Sequence, residues 1–325
     1  MKVLAGDIGA TNARLAIVGV EAGGIEILHR ARFPSKDFPG LAPIVQRFLT
    51  DAPGTVERAG FGVACPVIGG DCVTANLPWR INTSTLAREI GIPRTELVND
   101  LQALGHGIRW LGPGATVVLQ AGEPETHGVV GLIAAGTGLG EGFLVWEGDR
   151  YRVHVSEGGH ASFAPNGALE CGLLGFLRDE FGHVSRERVL SGPGLVSIYR
   201  YLAADGHARE ARSVRDEMAR EDPAAVISRH ALAGTDPLCV QALDVFASAY
   251  GAQAGNLALT LMATGGVYLG GGIARRIVDK LGDGTFVGAF KDKGRLAGLL
   301  AKIPVHVIVN PDAGLLGAAV VAARL

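Results

Sequence analysis

The stretch Lys2–Val18, KVLAGDIGATNARLAIV, decides how the whole chain is interpreted. Its apolar runs at Val3–Ala5 and Leu15–Val18 flank a polar, glycine-bearing segment, Gly6–Arg14, and this pattern predicts a strand, a turn and a second strand. Glycine lets a ligand approach the backbone closely, and the segment also offers a carboxylate and short hydrogen-bonding side chains. We therefore expect the turn to cradle phosphate oxygens.

The same pattern returns at Val129–Val145, VVGLIAAGTGLGEGFLV, where a glycine-rich turn again separates two apolar runs. Two such hairpins predict a duplicated domain that holds one ligand between its halves. The alternative is that both are ordinary hairpins in a glycine-rich protein. Glycine accounts for 48 of the 325 residues, and short glycine patterns recur by chance.

Composition narrows the class of protein. The length suits two domains, and the balance of 30 basic against 32 acidic residues favours neither nucleic acid nor an anionic membrane as a partner. The uncharged stretch Val245–Ala274 is long enough to cross a bilayer, but its polar residues and glycines predict a buried helix followed by a strand. We expect a cytoplasmic protein without a signal peptide, because the first apolar run is interrupted at Asp7.

The cysteines carry no metal or redox motif. They form no CxxC pair and have no metal-ligand spacing with histidine. We expect reduced, buried thiols at all four positions, which are Cys65, Cys72, Cys171 and Cys239.

Hydrophobic periodicity predicts alternating strands and helices, and therefore an α/β fold with helical cover on a sheet. Capping residues, Asn82 or Thr83 at the start and Gly91 at the end, delimit one short helix. The predicted strands and hairpins are Ile25–Phe33, Arg58–Val63, Val67–Thr74, Val267–Leu269 and Val305–Val309. The predicted helical segments are Leu41–Thr50, Thr83–Gly91, Leu169–Glu180, Asp205–Ala225, Pro237–Met262, Ile273–Leu281 and Asp312–Leu325.

Three segments carry candidate functional side chains. In TELVNDLQALGHGI, a short strand brings Asn99 and Asp100 to the start of a helix, where side chains project into the ligand crevice of an open α/β sheet. In VHVSEGGHASF, Glu157 and His160 lie on a tight loop and suit sugar hydroxyls, which need both donors and acceptors. Glu187 precedes a Ser-Gly-Pro-Gly turn. The alternatives are a helix N-cap for Asn99 or Asp100, a solvated Glu157, a backbone-bonded His160 and a surface charge at Glu187.

A run of three glycines, Gly270–Gly272, follows an apolar strand and suits a nucleotide base or ribose lying against the backbone. The familiar nucleotide motifs are absent from the sequence: no glycine is followed by the lysine of a Walker P-loop, and neither glycine turn reads G-x-G-x-x-G. No GxSxG, HExxH or protein-kinase HRD motif occurs. Any nucleotide site is therefore expected to use the hairpin turns.

Seven blocks along the chain resemble the bacterial glucokinases, the zinc-free group within the actin-like sugar kinases. They occur in the order and at the spacings of that family and cover essentially the whole chain. In chain order they read GDIGATNARLAI, LVNDLQALG, AAGTGLGEG, SEGGHASFAPN, ERVLSGPGLVSIYR, GGVYLGGGIARR and NPDAGLLGAA.

The resemblance implies a two-domain actin-like (ribonuclease H-like) ATPase fold with a cleft between a small and a large α/β domain. The small domain would be 1–110 completed by the helix 312–325, and the large domain 111–311. The implied activity is ATP-dependent phosphorylation of D-glucose at its 6-hydroxyl, the first step of glycolysis, by a cytoplasmic homodimer.

The resemblance also implies roles for individual residues. Asp100 would be the catalytic base, and Asp7 would lie near Mg²⁺, most simply through water. The glucose-binding residues would be Asn99, Asp100, Glu157, His160 and Glu187. The nucleotide-binding residues would be Gly6, Asp7, Ile8, Gly9, Ala10, Thr11, Asn12, Gly136, Thr137, Gly138, Gly270, Gly271 and Gly272.

Two departures from the family pattern matter. Ala10 replaces the second glycine of the usual GDIGGTN, which is acceptable if its backbone angles are ordinary. Only Cys171 stands where the zinc-containing relatives have a cysteine cluster, so no zinc is expected. Rival functions are a kinase for another hexose and a non-catalytic sugar-sensing regulator, and the motifs do not distinguish ATP from ADP or polyphosphate as the donor.

Overall fold

The structure is a computed structural model that describes residues 1–21, 24–52, 54–74, 77–206 and 209–325. Within these ranges the chain forms two larger sheets, a two-stranded sheet and the helices that cover them. In chain order the strands are β1 (Lys2–Ile8), β2 (Asn12–Glu21), β3 (Gly24–Pro34), β4 (Arg58–Val63), β5 (Asp71–Val73), β6 (Arg80–Asn82), β7 (Arg94–Asn99), β8 (Thr116–Gln120), β9 (Val130–Ala135), β10 (Leu139–Trp146), β11 (Tyr151–Ser156), β12 (Gly266–Gly270) and β13 (Val305–Ile308).

The first larger sheet has the strand order β3-β2-β1-β4-β7. β1 and β2 pair antiparallel as far as Ile8 opposite Ala13, which leaves Gly9–Thr11 as the connecting turn. The predicted turn, Gly6–Arg14, was therefore too long, because strand pairing continues through its polar residues. β1, β4 and β7 run parallel, so their carboxyl ends meet at the edge that carries this turn.

The second larger sheet has the order β11-β10-β9-β12-β13-β8. β9 and β10 form an antiparallel hairpin joined at Gly136–Gly138, and β12 and β13 continue parallel to β9. The first five strands repeat the arrangement of the first sheet: a hairpin and its third strand on one side, two parallel strands on the other. The prediction of a duplicated α/β architecture is confirmed, and β8 is an additional antiparallel edge strand.

The helices agree with most of the sequence-based predictions. Two predictions differ from the structure. Ile273–Leu281 was predicted as one helix but is interrupted at Ile277, where φ is −107° and ψ is 24°. Asp205–Ala225 was predicted as helical, but among its described residues only Arg212–Met218 and the residues from Pro223 onward are helical. Residues 207–208 of the predicted helical segment Asp205–Ala225 lie outside the described residues. The helices are α1 (Leu41–Asp51), α2 (Thr83–Ile90), α3 (Asp100–Gly107), α4 (Gly167–Phe181), α5 (Gly192–Ala204), α6 (Arg212–Met218), α7 (Pro223–Leu232), α8 (Pro237–Leu261), α9 (Gly271–Arg276), α10 (Val278–Leu281), α11 (Thr285–Lys291), α12 (Ala297–Leu300) and α13 (Ala313–Ala323).

The chain forms two compact units. Unit 1 comprises Met1–Ala115, Tyr151–Val153 and Asn310–Leu325, and unit 2 comprises Thr116–Arg150 and His154–Val309. In unit 1, alternate residues of the strands point to opposite faces of the sheet, so one face packs on α1 and the other on α13. In unit 2, the predicted long helix α8 lies in the core of the second sheet and its helices.

The cysteines differ from the sequence-based expectation. Cys65 and Cys72 are both buried and form a disulfide, with Cα atoms 6.1 Å apart. The chain reverses direction at 68–71, where an isolated antiparallel bridge closes the turn, and this reversal brings the two cysteines together. Cys239 is a buried thiol as expected, but Cys171 is exposed.

The apolar helix α8 was the one membrane candidate of the sequence. Among the helices of the described residues, none combines the length and apolar character that a membrane crossing requires.

Candidate active site

The first glycine turn leaves two consecutive backbone amide groups available. Gly9 donates its amide N–H to the carbonyl oxygen of Asn12 at 3.0 Å, and Ser35 holds the turn by donating its hydroxyl to Gly9 and its amide to Thr11. The amide groups of Ala10 and Thr11 have no acceptor within the part of the chain that the structure describes. Adjacent N–H groups of this kind bind anions, so the turn has the geometry of the predicted phosphate cradle.

Other members of the predicted phosphate loop lie in strands and have different surroundings. A Cβ atom at Gly6 would overlap the side chain of Phe61, so this glycine is required by core packing and not by ligand approach. Ile8 is buried, and Asn12 accepts a hydrogen bond from Arg32 at 2.8 Å.

Ala10, which replaces a glycine of the family motif, does not have a positive φ. Among the described residues other than glycine, only His127 and Met262 have positive φ. The backbone at Ala10 is therefore one that an L-residue adopts without strain, and its methyl group is compatible with the turn.

Asp7 takes part in an ion-pair network. Its Oδ2 atom is bound by Nη2 of Arg14, and Nη1 of Arg14 donates to the carbonyl oxygen of Pro311 at 2.6 Å. Asp312 lies 3.6 Å from the same guanidinium group and also pairs with Arg30 at 3.0 Å. Arg14 thus links the first glycine turn to the segment before α13. This role of Arg14 was not predicted from the sequence, in which Arg14 is only the last residue of the predicted turn.

Asn99 and Asp100 lie where β7 ends and α3 begins. Asn99 caps α3: its Oδ1 accepts from the amide of Leu101 at 2.9 Å, and its Nδ2 donates to the carbonyl of Cys65 at 3.2 Å. Asp100 is solvent-accessible, and its Oδ1 accepts from the same Leu101 amide at 2.8 Å. Desolvation by the surrounding protein raises the pKa of Asp100 to about 6, and the charge of Asp7 adds to the increase.

The second glycine turn repeats the amide arrangement of the first. Gly136 donates its amide to the carbonyl of Gly138 at 2.8 Å, which closes the turn, and accepts from Gly192 at 2.9 Å. The amide groups of Thr137 and Gly138 have no acceptor among the residues that the structure describes. Both hairpins therefore present a pair of adjacent N–H groups.

Glu187 lies against the second turn. Its Oε2 atom accepts a hydrogen bond from the amide of Leu139 at 2.9 Å, and a Cβ atom at Gly138 would come within 2.5 Å of this oxygen. The buried hydroxyl of Ser191, which caps α5, donates to the carbonyl of Glu187 at 2.7 Å. The interpretation of Glu187 as an isolated surface charge is therefore wrong.

The predicted sugar loop, Glu157–His160, forms a short 3₁₀ turn. The side chains of Glu157 and His160 are 74% and 61% exposed, and their nearest charged atoms are 3.7 Å apart, so both remain accessible to a ligand. A Cβ atom at Gly158 would overlap the carboxylate of Glu141, and one at Gly159 would overlap the carbonyl of Leu139. The two glycines thus seat the loop directly on β10.

The three glycines at the end of β12 and the start of α9 lie beside the second turn within unit 2. Gly270 is paired with Ala134 of the parallel strand β9. Gly271 has φ of 85°, which strains any residue with a side chain. A Cβ atom at this position would also overlap the carbonyl of Ala135. Gly272 is exposed with open space around its Cα, which suits the approach of a flat group.

The predicted site residues fall into two groups. Unit 1 brings together the first glycine turn, Asp7, Asn99 and Asp100. Unit 2 brings together the second glycine turn, the Glu157–His160 loop, Glu187 and Gly270–Gly272. Glu141 and Arg186 were not predicted from the sequence. The one indication of their role is that Glu141 is a charged residue inside the apolar strand β10.

The residues present fit a magnesium ion that is bound mainly through water and phosphate oxygens. Asp7 supplies a hard carboxylate that is partly exposed beside Arg14, and Mg²⁺ typically takes one or two carboxylates with substrate phosphates. No group of three or more His, Cys, Asp or Glu residues with metal-site geometry occurs among the described residues.

Comparison with known proteins agrees with these features. A family model described as Glucokinase matches residues 4–325. A curated glucokinase of a Nostoc species is 44% identical over 99% of both chains, and that of Cronobacter sakazakii is 39% identical over 97% of this chain and 95% of its own.

Solved structures give the same result for the fold. The crystal structure of a glucokinase from an Antarctic psychrotroph superposes with a TM-score of 0.87 and 32% identity, covering 100% of this chain and 99% of its own. A ROK family glucokinase from Streptomyces griseus, solved in complex with glucose and AMPPNP, has a TM-score of 0.67 and 24% identity, with 100% of each chain covered.

The duplicated α/β fold with paired glycine turns defines the chain as an actin-like sugar kinase. Within that class, the chain belongs to the glucokinase family.

Proposed function

We propose that the chain transfers the terminal phosphoryl group of ATP to the 6-hydroxyl of D-glucose, giving glucose 6-phosphate and ADP. Membership of the glucokinase family supports the reaction, and the Streptomyces relative binds glucose together with the ATP analogue AMPPNP. The observation that carries the mechanism is the carboxyl group of Asp100, which has a pKa of about 6 and lies at the sheet edge that carries the first glycine turn.

Asp100 would act as the general base. Its Oδ1 atom accepts the Leu101 amide, which fixes the carboxylate that would accept a proton from the sugar hydroxyl. A pKa of about 6 keeps the group ionised at neutral pH while making it more basic than an ordinary aspartate. Phosphoryl transfer needs mainly positioning and charge stabilisation, so a fixed base is a sufficient contribution from this side chain.

The two pairs of turn amides would bind phosphate oxygens. Those of Ala10 and Thr11 lie close to Asp7, whose partly exposed carboxylate suits the magnesium ion that accompanies ATP. Those of Thr137 and Gly138 lie next to Gly270–Gly272, which would receive the adenosine. Mg²⁺, when bound, supplies positive charge that offsets the charge of the transferring group.

The sugar hydroxyls would be bound by Asn99, Asp100, Glu157, His160 and Glu187. Asn99 is held in place by two hydrogen bonds, because its Oδ1 caps α3 and its Nδ2 donates to the carbonyl of Cys65. The exposed Glu157 and His160 offer acceptors and a donor, and Glu187 keeps its Oε1 atom. Hydrogen-bonding groups at fixed positions reject hexoses that lack the matching hydroxyl.

Phosphorus-31 NMR of reaction mixtures tests the proposed function. The chain is incubated with glucose, mannose, fructose or glucosamine and with ATP, ADP or polyphosphate in turn. We expect a sugar 6-phosphate signal that is strongest with glucose and ATP and depends on Mg²⁺. Stronger signal with another hexose or donor would replace the substrate named here, and no transfer to any hexose would favour the sugar-sensing regulator.

The same proposal includes a cytoplasmic homodimer, as the family resemblance implies. Sedimentation equilibrium measures the assembly directly, and twice the 33.7 kDa mass of the chain is the expected result. A species of 33.7 kDa at working concentration would contradict the dimer without affecting the proposed reaction.

A further inference from the structure

A buried carboxylate lies beneath the Glu157–His160 loop. Glu141 of β10 is 2% exposed, and its two oxygens are bound by different partners. Gln253 of α8 donates to Oε1 at 2.7 Å, and Nη1 of Arg186 donates to Oε2 at 3.1 Å. This cluster of Glu141, Arg186 and Gln253 thus joins a strand, a helix and the segment that precedes Glu187.

The cluster holds the sugar loop by its backbone. Nη1 of Arg186 also donates to the carbonyl oxygen of Gly158 at 3.2 Å. Ser156 donates its hydroxyl to the carbonyl of Glu141 at 3.1 Å and accepts the amide of Gly158 at 3.2 Å. The absence of a side chain at Gly158 is what allows the loop to rest on the Glu141 carboxylate.

The cluster also reaches Glu187. The amide of Arg186 donates to the carbonyl of Ala161 at 2.9 Å, so the loop and the Glu187 segment are hydrogen-bonded to each other. Glu187 is the next residue along the chain, and its side chain accepts from Leu139, which begins β10. A shift of Arg186 would therefore move both parts of unit 2 that are proposed to contact sugar.

Stability alone does not explain why these residues are polar. Burial opposes the charged form of Glu141 and raises its pKa, while Arg186 and Gln253 act in the opposite direction. A buried ion pair contributes little net stability compared with well-packed apolar residues, but it fixes geometry because the loss of either partner leaves the other unpaired. The cost of burying the carboxylate is consistent with a requirement for one defined loop position.

We infer that Glu141 and Arg186 are positioning residues that set the affinity for the sugar by holding Glu157, His160 and Glu187 in one arrangement. The inference rests on the proposed function, because it assigns these three side chains to the sugar. Neither positioning residue is assigned contact with the reacting atoms.

Glu141→Gln and Arg186→Met test the inference by two measurements on the full chain. The first is hydrogen exchange of the amides of His160, Ala161 and Arg186 without sugar, which we expect to become faster. The second is steady-state kinetics, in which we expect the glucose KM to rise about 10- to 100-fold while the ATP KM stays unchanged, because small displacements of positioned groups have effects of this size.

Two further variants supply the controls. Arg200→Met removes a matched but exposed ion pair with Glu180, 3.1 Å apart in the same unit, and should change neither measurement. Arg186→Lys keeps the charge but places it on a shorter side chain, whose nitrogen does not reach the position from which Nη1 binds both Glu141 and Gly158, and should fall between Arg186→Met and the unaltered chain. It also preserves the test if the other variants fail to fold.

The outcomes separate this inference from the proposed function. Faster exchange together with a raised glucose KM supports the positioning role. Unchanged exchange, or faster exchange with an unchanged glucose KM, overturns it even though the unaltered chain phosphorylates glucose. An unaltered chain that phosphorylates no hexose would refute the proposed function, and unchanged exchange in the variants would then refute the positioning role independently.

Discussion

The two glycine turns are built alike but are served by different carboxylates. The first turn has Asp7 in its own hairpin, and this side chain faces the cation of Arg14. The second turn receives Glu187 from a segment about 50 residues further along the chain, and this side chain binds the backbone amide of Leu139. The same amide geometry is thus combined with a carboxylate that faces positive charge in one hairpin and backbone in the other.

This difference indicates that the carboxylates of the two units have different roles. The carboxylates of unit 1, Asp7 and Asp100, lie near enough for the charge of one to raise the pKa of the other, which suits metal and proton transfer. The carboxylates of unit 2, Glu157 and Glu187, lie on a loop and a turn that are fixed by backbone hydrogen bonds, which suits recognition of hydroxyl groups. Changes at Asp7 and Asp100 should therefore lower kcat, and changes at Glu157 and Glu187 should raise the glucose KM.

The largest effect is expected for Asp100→Asn. Loss of a positioned general base lowers turnover by about 10² to 10⁴, while the asparagine still fits the site and binds glucose. Coupled assays give kcat, and isothermal titration gives the glucose affinity. Turnover close to normal would remove Asp100 from the role of base.

Glu187→Gln should change mainly the glucose KM, whereas Asp100→Asn changes mainly kcat. A hydrogen bond to a charged group contributes about 1.5–3 kcal/mol, so we expect the glucose KM to rise tenfold or more with a smaller change in kcat. The same coupled assay with glucose varied at saturating ATP provides the measurement. An unchanged glucose KM would exclude Glu187 from the sugar site and would break the division between the two turns.

A matched pair of glycine variants sharpens the role of the second turn. Gly138→Ala places a methyl group against Oε2 of Glu187, which must move and give up the Leu139 amide, so a several-fold rise in the glucose KM is expected. Gly136→Ala meets no heavy atom within 4 Å among the described residues and should leave the glucose KM unchanged. Equal effects of the two variants would show that Glu187 is not held by this turn.

The smallest effects are expected for two helix caps. Ser191→Ala and Asn82→Ala each remove a side chain that accepts an amide in the first turn of a helix, and each should lower the free energy of unfolding by about 1 kcal/mol. Urea denaturation measures both losses. Only Ser191→Ala should also raise the glucose KM, because its hydroxyl holds the carbonyl of Glu187. If the glucose KM rose in both variants, the change would be due to general destabilisation and not to the loss of the hydrogen bond to Glu187.

Features that depend on local pattern could be predicted from the sequence. Periodicity, glycines and capping residues within short windows predict both hairpins. The same signals predict the start of α3 at Asn99 and Asp100 and the capped helix α2. The first turn was predicted too long because polar residues also occur within paired strands, as Asp7 opposite Arg14 shows.

Features that depend on tertiary contacts could not be predicted. Gly6 is fixed by Phe61, which lies on another strand. The partners of Glu141 are 45 and 112 residues away in the sequence. In the sequence Glu141 is only a charged residue between apolar residues, because a local pattern contains no information on which distant side chains neutralise that charge.

The central claim is that Asp100 acts as the base in its ionised form. Its pKa is raised to about 6, so kcat/KM of the unaltered chain should be constant above that pH and fall about tenfold per pH unit below it. The direct test is the pH profile of kcat/KM for glucose in the unaltered chain and in Asp100→Asn. We predict an acidic limb near pH 6 in the unaltered chain and its absence in the variant, and the same limb in both proteins would contradict the claim.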